Sequence, residues 1–93
     1  MSTVEKILKD LGLNKEQAAR EYAIFALSQK IAEYGDECKA YEKKYNMSFT
    51  NLEQKILESS VEVFKRDEDY LAWKFAKEGK VFWQGKIEAL LKE

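Results

Sequence analysis

Apolar residues recur along this chain at steps of three and four, the period of an amphipathic helix. Val4, Ile7, Leu8 and Leu11 make a first short stripe. It predicts a helix over Thr3–Leu11, capped by Ser2 or Thr3 and ended by Gly12, which enters the left-handed conformation without steric cost. Asn14 and Gln17 stand in capping-box register and open a second helix. Its stripe is long: Ile24, Leu27, Ile31, Tyr34, Cys38, Tyr41 and Tyr45 form a heptad seam of about three repeats. Ala19, Ala23 and Ala26 flank that seam and leave room for a neighbouring helix. Gly35 falls on the opposite side of the seam in this reading, where it costs about 1 kcal/mol against Ala without ending the helix. Asn46 suits a left-handed C-cap.

A third, shorter helix starts at Ser48 or at Thr50, the latter in capping-box register with Glu53. Phe49, Leu52, Ile56 and Leu57 are its expected buried face. From Ser59 to Lys65 the period changes and β-branched residues stand out, which fits either a short extended segment or a loop. Asp67 is the expected cap of a last helix running to Leu91, with Glu68 and Asp69 complementing the dipole of its first turn. Ala72, Ala76, Gly79, Trp83, Ile87 and Leu90 share one face of it, widened by Leu71, Trp73, Phe75, Phe82 and Leu91. The pattern is that of one all-α domain over residues 1–93. Its expected core is a bundle-like antiparallel hairpin of two long helices, with two shorter helices attached.

Composition supports this and narrows the chemistry. There is no proline, the strongest helix breaker. The 16 Lys and Arg nearly balance the 17 Asp and Glu, so no strongly basic face for nucleic acid is expected. With no histidine and a single cysteine, the usual zinc ligand sets, a disulfide and the His-dependent nucleophilic mechanisms are excluded. Cys38 sits on the apolar seam and reads as a small core residue rather than a reactive thiol. The acidic groups at Asp36–Glu37 and Asp67–Asp69 read as solvated surface and a helix start rather than a cation site. No cofactor, metal or catalytic residue is expected, and the chain is read as a non-enzymatic protein. It has no apolar run long enough to span a bilayer and no apolar leader with a cleavage site, so a cytoplasmic location is expected.

Aromatic residues make up 13% of the chain, many of them on two long helices with a high ratio of surface to volume. One copy cannot shelter both a tyrosine seam and a Trp/Phe face, so association is expected, a two-fold homodimer first. Ile31, Tyr34, Tyr41 and Tyr45 are the expected dimer seam. Trp73, Phe75, Phe82 and Trp83 are the expected anchors for a partner. An alternative reading makes the first two helices a helix-turn-helix-type DNA-binding regulator, with Lys15, Gln17 and Arg20 near the start of the recognition helix.

Three short stretches also resemble a known group. Ile31–Cys38 reads IAEYGDEC, Tyr41–Phe49 reads YEKKYNMSF, and Asp69–Trp73 reads DYLAW. This is similar to small prokaryotic antitoxins of type II toxin–antitoxin pairs, which carry an E…C…FEKKYGMSF turn followed by a D-x-x-x-W helix start. The resemblance covers roughly Leu27 to Leu90. Here Asn46 stands where glycine is usual and Tyr41 where Phe is common, and the third helix has fewer acids. The resemblance implies a non-enzymatic protein that binds a toxin protein, with binding to its own operator as a further implication.

Overall fold

Polar side chains at the helix ends set the boundaries of the fold. In the computed structural model, which describes residues 1–93, Ser2 accepts the amide N–H of Glu5 and starts α1, Thr3–Asp10. Gly12 then turns the chain at φ 75°. Asn14 and Gln17 form a reciprocal capping box, with the Gln17 amide on Asn14 Oδ1 at 2.8 Å and the Asn14 amide on Gln17 Oε1 at 2.9 Å. They open α2, Lys15–Tyr45, which runs without interruption through Gly35 and ends at Asn46 in the left-handed conformation, φ 51°. Ser48, rather than Thr50, caps α3, Phe49–Glu58, by accepting from the Asn51 amide.

The segment left open between strand and loop is irregular backbone from Ser59 to Val63, and the chain contains no strand. Ser59 Oγ accepts the Val61 amide and donates to the Val61 carbonyl, a local turn that competes with any ladder pairing. The last helix, α4, spans Phe64–Leu91 and so begins before the expected cap. Val63 is its N-cap and offers no side-chain hydrogen bond. Asp67 lies inside the first turn instead, where a negative charge complements the helix dipole, and its carboxylate accepts from Arg66 Nε at 3.2 Å. Arg66 also reaches back to the Val61 carbonyl and ties the link to the helix start.

The fold is all-α, and α2 with α4 is its main contact. Lys44 meets Asp69 at one end of the pair and Arg20 meets Glu93 at the other, so the two helices run in opposite directions. Between those ends the Tyr34 ring lies over Gly79, where an added methyl group would sit 2.9 Å from the ring carbons. Gly35 faces inward, correcting its expected outward placement. The Lys80 stem crosses α2 there, within 3.8 Å of where a Cβ would stand, and buries the backbone. α3 packs beside α4 and close to the C-terminal end of α2, while α1 buries none of its residues.

The resulting molecule measures 67 × 23 × 17 Å. Its buried hydrophobic core is Cys38, Leu52, Trp73 and Ala76, all at the end where α3 adds a third helix. Leu57, expected on the buried face of α3, is 79% exposed because only the Leu52 edge of that helix meets the pair. Removing the largest core side chain is therefore severe. Trp73→Ala should cost about 3–5 kcal/mol, a large share of the total stability of a domain this size. Urea unfolding followed by circular dichroism checks this, with Leu57→Ala expected to fall within about 0.5 kcal/mol of the parent.

Candidate interaction surface

Trp73 is the centre from which the rest of the surface is positioned. Tyr41 of α2 stacks on it at 5.9 Å between ring centroids, and Phe49 of α3 meets it edge-on at 5.4 Å. Phe49 in turn stacks on Tyr70, 5.3 Å away and nearly parallel. Three helices thus share one aromatic cluster, and each ring contact adds about 0.5–1.5 kcal/mol to simple burial. Lys77 lies over the open side of the Phe49 ring at 4.6 Å.

A charged lock closes the same end. Asp69 is 4% exposed, and its Oδ2 accepts from both Lys44 Nζ and the Tyr45 hydroxyl at 2.5 Å. Lys65 Nζ stands 3.6 Å from the other oxygen. The next residue, Tyr70, donates to Glu53 of α3, tying that helix to α4 as the first lock ties α2. No buried side-chain polar atom is left without a partner. The hydrogen bonds from Lys44 and Tyr45 hold the Asp69 carboxyl below its ordinary value. Burial, followed by the neighbouring Asp69 carboxylate, pushes the Tyr45 phenol up to about 12. The bond to Glu53 raises Tyr70 as well. Burial also raises the Cys38 thiol, only partly opposed by Lys80 and Lys77, which suits an inert packing residue.

The expected partner anchors separate into two kinds. Trp73 is 1% exposed and out of reach of any partner, because Tyr41 and Phe49 already occupy its faces. Trp83 is half-buried with Phe82 against its edge. Phe75 and Phe82 are free, at 65% and 55% exposure. The expected dimer seam is likewise occupied within one chain. Tyr41 is taken by Trp73, Tyr45 by Asp69, and Tyr34 by Gly79 and the edge of Phe75, while Ile31 is half-buried on the same stripe. Within the chain the seam faces α4, where the small residues Ala76 and Gly79 match it. Of the residues expected to contact nucleic acid, Gln17 is spent on the capping box, Lys15 lies 3.6 Å from Glu5 and Arg20 lies 3.9 Å from Glu93.

What remains open is the side of the α2/α4 pair away from α3. A shallow groove of about 510 Å³ runs there between Tyr34, Ala40 and Tyr41 of α2 and Ala72 and Phe75 of α4, with Glu33 and Glu37 on its rim. Other large apolar groups stand free on α4, among them Phe64 at 81%, Leu71 at 64% and Val81 at 67%. No group of three or more Cys, Asp or Glu side chains converges as a metal site would require, and no helix is long and apolar enough to cross a membrane. No family model, curated protein or solved structure matches the chain. The arrangement offers apolar docking area with charged edges, and no converging acid, base or nucleophile.

The Asp69 lock was not foreseen in the sequence, where Asp67, Glu68 and Asp69 look alike. The available signal was its place on the stripe of Trp73, Ala76 and Trp83, which turns it inward while Glu68 turns out. Its contribution has a defined pH window. The ionised Asp69 supports folding fully above the ordinary carboxylate range, near pH 4, and that support is lost as pH falls through its lower folded value. The neutral Tyr45 supports folding fully below pH 10.0 and loses that support as pH rises toward about 12. Urea midpoints measured across pH should therefore fall at both extremes. Asp69→Asn should lower stability by about 2 kcal/mol near neutral pH and flatten both slopes.

Proposed function

We propose that this chain is a helical protein–protein interaction module that works as an oligomer. The supporting observation is one of area. A compact monomer of 10.9 kDa exposes about 5,600 Å². This chain exposes 7246 Å², an excess of about 1,700 Å². A homodimer that covered this excess on both copies would bury about 3,300 Å² in total, within the range of obligate homodimers. The free surface also includes Phe64, Phe75, Phe82 and Leu71, whose burial is worth roughly 1.5–3 kcal/mol each. These groups supply the attraction, and the aromatic cluster with the Asp69 lock holds the helices that carry them.

An antitoxin-like role is the narrower form of this proposal. Its support is the resemblance over Ile31–Phe49 and Asp69–Trp73, and it assigns the partner as a toxin protein covered by the same apolar helices. Co-expression with the product of the adjacent reading frame checks it: the two should co-purify in fixed ratio, and independent elution of both would remove this narrower role.

Sedimentation equilibrium tests the broader proposal. At about 100 micromolar the mass should exceed that of one chain, and thermal unfolding should shift upward with protein concentration. A single-chain mass with a concentration-independent midpoint would overturn it.

A further inference from the structure

The face opposite α3 carries two parallel stripes at helical spacing. Along α2 these are Ala26, Lys30, Glu33, Glu37 and Ala40; along α4 they are Ala72, Phe75, Gly79, Phe82 and Lys86. Glu33, Glu37, Ala40, Ala72 and Phe75 line one groove. Lys30 lies two turns before Glu37 on the same side of α2, and Phe82 lies two turns after Phe75 on the same side of α4. Lys86 sits over the Phe82 ring at 5.2 Å and so shares that side. Small residues at Ala26, Ala40 and Ala72 keep the face low between its aromatic groups.

Charge divides this face along its length. Because α2 and α4 run in opposite directions, Glu33 and Glu37 lie toward the end where Lys44 meets Asp69. Lys30 and Lys86 lie toward the end where Arg20 meets Glu93. The acidic half adjoins Phe75 and the basic half adjoins Phe82. Lys30 and Glu33 pair within the chain at 4.0 Å, but both are well exposed, and a contact of that kind is weak enough to exchange for one across an interface.

We propose that a second copy of this chain covers the face, laid upon it in the opposite direction about a two-fold axis that crosses α2 between Lys30 and Glu33 and α4 near Phe82, which the register of Tyr34 over Gly79 puts at the same level. This arrangement sets Lys30 and Lys86 of each copy toward Glu33 and Glu37 of the other, and brings the Phe82 side chains together at the centre. A parallel arrangement about a two-fold axis along the helices lays α2 of each copy over α4 of the other at the same level, which brings the two acidic halves together and the two basic halves together. Burial supplies the affinity and the charge pattern selects the direction. The accessible area in excess of a compact monomer is of the size such a dimer covers, and this inference rests on the oligomer proposed above.

Charge reversal tests it on the full chain. Two variants are made, Glu33→Lys/Glu37→Lys and Lys30→Glu/Lys86→Glu, and circular dichroism verifies that each retains its helix. Sedimentation of each variant alone should show a dissociation constant raised at least about tenfold over the parent, and a one-to-one mixture of the two should restore a dimer. If both variants dimerise as the parent does, this face is not the interface, while the oligomer itself stands. Weakened variants that fail to recover on mixing overturn the opposed arrangement. A parent chain that is monomeric at about 100 micromolar removes the oligomer and this inference together.

Discussion

Two helices packed side by side have no interior, and everything else in this structure follows from that constraint. A helix pair buries one stripe from each partner, and the rest of both cylinders stays in water unless a third element covers it. Here the third element is α3, only Phe49–Glu58 long, against partners of 31 and 28 residues. It covers one end of one side. The buried core is confined to that end, and the remaining length of α2 and α4 is held by a half-buried stripe alone.

The covered end is correspondingly dense in interactions. Trp73 is contacted by rings from α2 and α3, so its burial fixes the position of both against α4. Asp69 and Glu53 add directional bonds to that position. An ionised carboxylate with two short donors tolerates less sliding than apolar contact does, and the lock therefore fixes which turn of α2 faces which turn of α4. The Lys44 head remains partly in water, which lowers the desolvation cost of closing the pair. Further along, Gly79 admits the Tyr34 ring against the α4 backbone and continues the same register.

The open side has a different chemistry from the closed one. Its apolar groups are interrupted by small residues and edged by charges of both signs, which is how helical surfaces combine docking with selection of partner and direction. Nothing on it converges toward a reacting group. Both the proposed oligomer and the narrower antitoxin-like role use this one property, an amphipathic surface larger than one chain can hide.

The helix boundaries were legible in the sequence because caps are local. Ser2, the Asn14–Gln17 box, Asn46 and Ser48 act within a turn of where they sit, and the absence of proline leaves the long runs unbroken. The exception is the start of α4, where no capping side chain acts and the helix reaches back to Phe64 past an aspartate that looked like a cap. The all-α class and the surplus of apolar side chains are likewise properties of spacing and count. Which apolar stripe meets which was decided only by the tertiary structure. The periodicity of α2 marks Tyr34, Tyr41 and Tyr45 as facing a helix and is silent on whether that helix belongs to the same chain; Ala76 and Gly79 made α4 the partner. The same holds for Trp73 and Phe75, close in sequence and equally aromatic, yet one is sealed in the core and the other left in water. Their separation of two residues turns them to nearly opposite sides of α4, and only the position of α2 and α3 determines which side is the inside.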